Sequence, residues 1–123
     1  MSQDHTPSSE DVAALRVPAL ERIAAGGQAW PLMAEKYGVG NPVPPWRSRL
    51  DATCEALDRE ASALPLRDRR NEEDLLSTAV YDSLPYPENQ LVALAHSLLA
   101  RGIIDEADLV ERLRSVRARL EAL

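Results

Sequence analysis

Residues 81–105, YDSLPYPENQLVALAHSLLARGIID, decide how this chain folds. Pro85 and Pro87 each lack a backbone N–H and push the preceding residue away from helical geometry. The chain must therefore break at Tyr81–Pro87 and hold Tyr86 between two prolines. Pro87 and Glu88 suit the first turn of a new helix. Leu91, Leu94, Ala95, Leu98 and Leu99 supply its apolar face, and Gly102, beside Arg101, supplies its end. Asp105 then caps a last helix, on which Leu109, Leu113, Val116, Leu120 and Leu123 follow a four-three spacing. That spacing makes a seam for lying along another helix. The short link Gly102–Asp105 predicts that the two helices are antiparallel neighbours.

Upstream of the turn, Trp46, Leu50, Cys54, Leu57 and Ala61 form a helical stripe, with Pro65 as its stop. The charged run Arg67–Asp74 leads into Leu75, Leu76, Ala79 and Val80, a short helix that ends at the turn. The stretch Gly38–Pro45 carries three prolines and no helical option, so it reads as an extended connector. Before it, Ser9 as N-cap opens a short helix, Pro18 kinks it or starts another, and Gly26-Gly27 closes that segment. A further short helix is expected over Trp30–Tyr37, and Met1–Ser8 is too polar to order itself. No strand pattern competes anywhere. The expectation is an all-α fold: an extended N-terminal arm over residues 1–45 that wraps a partner, and a helical unit over residues 46–123.

Composition narrows the function. With 14 Lys+Arg against 20 Asp+Glu the net charge is −6, which argues against binding nucleic acid or an anionic membrane surface. No window is long and apolar enough to span a bilayer, and the N-terminus does not read as a secretory signal. A cytoplasmic setting follows as an expectation, and the single Cys54 fits a reducing compartment and excludes a Cys-rich metal site on this chain. With no Phe and much Ala, the core is expected to need a partner to complete it.

Among chemical groups, Cys54 lies on an apolar stripe and reads as a small buried hydrophobe. His96 has no second ligand or carboxylate one turn away, and His5 sits in the tail. Arg67, Arg69 and Arg70 can be a solvated helix start paired with Glu72, Glu73 and Asp74. They can equally be a group set out for an oxyanion, since guanidinium gives fixed bidentate contacts. Tyr86 can be a packing wedge or a phenol held stiffly toward a ligand.

Three segments in order carry a family resemblance. They are Pro45-Trp46 leading to Ala52–Leu57, then Arg67, Arg69 and Arg70, then Val80–Tyr86 followed by Leu91–Ala95, Leu98-Leu99, Gly102–Ile104 and Leu109. Together, over about Trp46–Leu120, they resemble the N-terminal half of the nitrile hydratase β subunit. Within that family they are most similar to the separate small subunit of thiocyanate hydrolase and of three-subunit, toyocamycin-type nitrile hydratases. The resemblance implies a lyase subunit, inactive alone, that takes part in hydrating a nitrile to an amide. Cobalt or iron would sit on a partner α-type subunit, bound by cysteines of which two are oxidised, and this chain would bind no cofactor. Laying the family pattern on Tyr81, Pro85 and Tyr86 assigns its acid-contacting arginine to Arg70, with Arg69 next. Tyr86 and Gln90 would line the substrate pocket. Pro87 and Gln90 stand where the family usually has a further aromatic and a tryptophan, which implies a more polar, roomier pocket. The family's second arginine belongs to a C-terminal half without counterpart in these residues, so a second β-type chain is implied as a further partner. Two alternatives share the resemblance: an accessory or activator protein of nitrile hydratase, and a thiocyanate hydrolase subunit. A helical interaction module with no catalytic link, pairing through its last helix, is the remaining alternative.

Overall fold

A computed structural model describes residues 7–26, 35, 36, 38, 46–60 and 64–122. Among these residues there are six helices and no strand, a small all-α domain as expected. They are α1 (Ser9–Ala14), α2 (Pro18–Ala25), α3 (Arg47–Asp58), α4 (Leu66–Ala79), α5 (Glu88–Ala100) and α6 (Glu106–Glu121). The expected connector over 39–45, most of the Trp30–Tyr37 helix, His5 and Ala61 lie outside the described residues.

Local chemistry sets most boundaries. The cap of α1 is Ser8, one residue earlier than expected. Its hydroxyl accepts from Asp11 N at 3.1 Å while Ser8 N donates to Asp11 Oδ2 at 3.2 Å, a reciprocal capping box. Ser9 is thereby free to donate to Glu72 on α4 at 2.9 Å. Pro18 starts a new helix rather than kinking one. Val17 has no side chain to cap it, and Glu106 of α6 takes that part, accepting from Ala19 N at 3.1 Å. α3 ends at Asp58, earlier than a stop at Pro65 would give, and Pro65 instead stands at the N-cap of α4. Its fixed φ and missing N–H suit that place. Gly102 closes α5 at φ 75°, the left-handed geometry glycine takes readily, with Ile103 N donating back to Leu98 O at 2.9 Å.

The core is built from α1, α2, α4, α5 and the turn between α4 and α5. Val12, Val17, Leu20, Leu76, Tyr81, Leu84, Val92 and Ala93 form one buried cluster. α4 and α5 make the most extensive helix pair, α1 lies against both, and α2 lies against α5. Residues 9–25 are therefore not an arm standing off a unit that begins at Trp46. The reason is volume: α5 offers Val92 and Ala93 to this cluster, and the larger aliphatics Val12, Val17 and Leu20 fill what alanine leaves. The last two helices also differ from expectation. α6 has no buried residue and no extensive contact with any other helix, because the Gly102–Ile104 link and the Glu106 cap carry its start toward α2.

His96 is fully buried and bridges two elements of this core. Its Nε2 lies 2.7 Å from the Val12 carbonyl, which can only accept, so Nε2 carries the proton and Nδ1 accepts from the Tyr81 hydroxyl at 2.7 Å. Both ring nitrogens are thus used within the core. Burial, helped by the charge of Glu21, pushes the Tyr81 phenol up to about 12. A group that the fold keeps protonated stabilises the fold below its ordinary value of 10.0, and that contribution is lost as pH climbs from there through about 12. Tyr81→Phe should cost about 1–2 kcal/mol at neutral pH by leaving Nδ1 buried without a donor. It should also flatten the alkaline fall in melting temperature, and thermal melts of both proteins across that range measure both effects.

Candidate functional site

α3, α4, the Tyr81–Pro87 turn and the first turn of α5 line a half-open cavity of about 640 Å³. Each helix reaches it with a polar face. On α3, Arg47, Asp51, Cys54 and Asp58 recur at helical spacing; on α4 the wall is Arg69, Arg70 and Glu73; Tyr86 stands at the turn, and Asn89 and Gln90 open α5. Arg69, Arg70, Tyr86 and Gln90, the four residues assigned to a site through the resemblance, line this one space, and Arg67 of the same arginine group does not.

The adjacent arginines have different surroundings. The Arg69 side chain is 3% exposed. Its Nη1 donates to Glu73 at 2.7 Å, and its Nη2 donates to Asp58 at 2.6 Å and to the Cys54 carbonyl at 3.4 Å. It ties α3 to α4 and forms the floor of the cavity. Burial pulls its pKa down, and the bond to Asp58 with the charge of Glu73 more than offsets this, so the guanidinium stays charged. Glu73 is pushed up, because its burial outweighs what Arg69 returns. The Arg70 side chain, one residue on, is exposed and makes no hydrogen bond or close ion pair among the described residues, although its charge also acts on Glu73.

Tyr86 is 61% exposed, with the Arg47 guanidinium carbon 4.7 Å from its ring centroid. That stacking steadies the ring while most of the residue stays exposed. Arg47 is itself held by Asp51 at 3.1 Å. Asn89 is fixed at its backbone, where its carbonyl accepts from Ser77 at 3.5 Å. The wall carries three arginines, Arg47, Arg69 and Arg70, against five carboxylates. A free small anion meets net negative charge there, whereas a neutral polar ligand meets a phenol and two amides. Arg70 is the cavity guanidinium without a hydrogen-bonded acceptor among the described residues.

The sequence reading missed Arg47 and Asn89. The polar repeat Arg47-Asp51-Cys54-Asp58 was there to be found with the period that revealed the apolar stripe. Among the described residues of that stripe only Leu50 is buried, and Cys54 is half-buried at the cavity, where burial pushes its thiol up and away from the reactive thiolate. Among the described residues no group of three His, Cys, Asp or Glu is placed to hold a metal ion, and no helix is long and apolar enough to cross a membrane. The cavity's side chains are suited to binding and orienting, and among the described residues that line it no nucleophile is hydrogen-bonded to a base.

Fold and cavity together define a small all-α domain with a polar, arginine-bearing cleft between two helices and a proline-braced turn. No protein-family model, curated protein or solved structure matches the chain.

Proposed function

We propose that this chain is a non-metal-binding subunit of a nitrile hydratase-type complex, lining the active site where it meets a metal-bearing α-type subunit. The observation that carries the reading is the convergence of Arg70, Tyr86 and Gln90 on one cavity, with Arg70 unpaired among the described residues. These positions come from the family resemblance, and a shared wall is what a substrate pocket requires of them.

In this reading the metal, cobalt or iron, belongs to the partner and supplies Lewis-acid activation there. This chain's own residues bind and orient. Arg70 donates two N–H groups to the oxygens of an oxidised cysteine on the partner and fixes them in place. Tyr86, braced by Arg47, donates its phenolic hydrogen to the substrate, and Gln90 hydrogen-bonds the substrate's polar rim. The second arginine comes from another β-type chain. The polar lining and the volume favour a bulky heteroaromatic nitrile over a small aliphatic one or thiocyanate.

Co-expression with α-type and second β-type partners tests the proposal. This chain should remain in the purified complex in fixed ratio to the metal-bearing subunit, and omitting it should abolish conversion of a heteroaromatic nitrile to its amide. A chain that leaves the complex after metal loading is an accessory protein, and faster turnover of thiocyanate assigns it to thiocyanate hydrolysis.

A further inference from the structure

α6 is anchored at its start and bare beyond it. Glu106 caps α2 through Ala19 N, and Leu109 packs against the core. Farther along, Val116 is only half-buried, while Leu113 is 42% and Leu120 63% exposed. Leu109, Leu113, Val116 and Leu120 repeat at four, three and four residues, so one continuous apolar seam runs off the body of the domain with no helix among the described residues packed extensively on it.

The charges beside the seam say what can cover it. With Leu113 and Leu120 at the a positions and Leu109 and Val116 at d, the flanking g positions are Arg112 and Arg119, and Arg117 stands at e. Arg117 pairs with Glu121 at 2.7 Å on the open surface. Arg112 and Arg119 are exposed and have no ion-pair partner among the described residues. A second copy of this helix is a poor occupant in either direction. In parallel it sets Arg112 against the copy's Arg117, and antiparallel it sets Arg112 against the copy's Arg119. Like charges there destabilise pairing.

We infer that α6 is a docking helix for an amphipathic helix of a different chain, one with a leucine-type seam flanked by Asp or Glu. The apolar seam provides the contact and the arginine edge selects the partner. This local preference runs against the overall charge of −6, which otherwise repels acidic partners. The surface is independent of the cavity chemistry and stands or falls apart from it.

The test titrates the full chain with a peptide of about four heptads carrying Leu at a and d and Glu at e and g, too acidic to pair with itself. Its twin carries Lys in place of Glu. NMR should show shifts in residues 106–122 with the Glu peptide, and binding of the Lys twin weaker by at least about tenfold. The double variant Arg112→Glu/Arg119→Glu should reverse the preference, which a loss of folding cannot do. Equal affinity for both peptides overturns the inference, as does binding of neither. So does sedimentation of the free chain as a dimer that Leu120→Asp dissolves, because the occupant is then a second copy.

Discussion

Glu72→Leu should lower the stability of the domain by about 3–5 kcal/mol, read as a fall in the urea midpoint at unchanged slope. Glu72 is fully buried on α4, yet every oxygen is used. Oε1 accepts from Ser9 of α1 at 2.9 Å, Oε2 accepts from Arg101 Nε at 3.0 Å, Arg101 Nη2 also reaches Oε1, and the Ser97 hydroxyl donates to Oε2. One carboxylate thus joins α1, α4 and α5. Taking it away leaves a nearly buried guanidinium and a buried hydroxyl without an acceptor, and that uncompensated burial is the larger part of the cost. Arg101 is at the end of α5 and 10% exposed, so it can turn partly toward water, which places the effect near the lower end of the range. Glu72→Leu/Arg101→Met should therefore recover most of the loss, a coupling that a double-mutant cycle reads directly. The pH dependence has a fixed sign. Burial alone would raise the Glu72 carboxyl, but the bonds from Arg101, Ser97 and Ser9 outweigh it and hold the group below its ordinary 4.5. Its stabilisation is present above that value and is lost as pH falls through the lowered one. The Leu variant should lose less stability on acidification than the parent.

Glu72 also marks how far the sequence could be read. Its position beside Arg67, Arg69 and Arg70 suggested local pairing on a solvated helix start, and its partner is instead 29 residues away on another helix. Periodicity tells which residues share a face. It does not tell which face meets which, because that depends on volumes summed over several helices. The turn at Tyr81–Pro87, the extent of α5 and α6 and the break at Pro18 were legible, since proline, glycine and capping residues act within a few positions of themselves. The inclusion of α1 and α2 in the core was not legible, because the need for Val12, Val17 and Leu20 arises from what α5 lacks. At the cavity, Arg69, Arg70, Tyr86 and Gln90 could be named through the family resemblance, Arg47 stood in the polar repeat of α3 beside the apolar stripe, and Asn89 enters only through how α3 and α5 face each other.

The two neighbouring arginines should separate folding from function. Arg69→Met should cost about 3 kcal/mol, since it strands Glu73, 6% exposed, and loosens Asp58, so that α3 is no longer tied to α4. Any loss of activity in that variant follows from a collapsed cavity floor. Arg70→Lys should change stability by no more than about 0.5 kcal/mol, because the side chain is exposed and unpaired among the described residues. Within the proposed nitrile hydratase-type complex the same change should lower nitrile hydration by about 10²–10³-fold, the scale of losing a preorganised donor pair, since ammonium keeps the charge but not the planar fork. Urea melts of the isolated chain and initial rates of the complex give the two halves of the comparison. Wild-type rates with Arg70→Lys would remove Arg70 from the site. If Arg69→Lys then abolished activity at unchanged stability, the oxyanion contact would pass to Arg69, and its bonds to Asp58 and Glu73 would have to open on assembly. The geometry favours Arg70 because those bonds are formed within this chain at 2.6 and 2.7 Å, and an acceptor on another subunit has to compete with them.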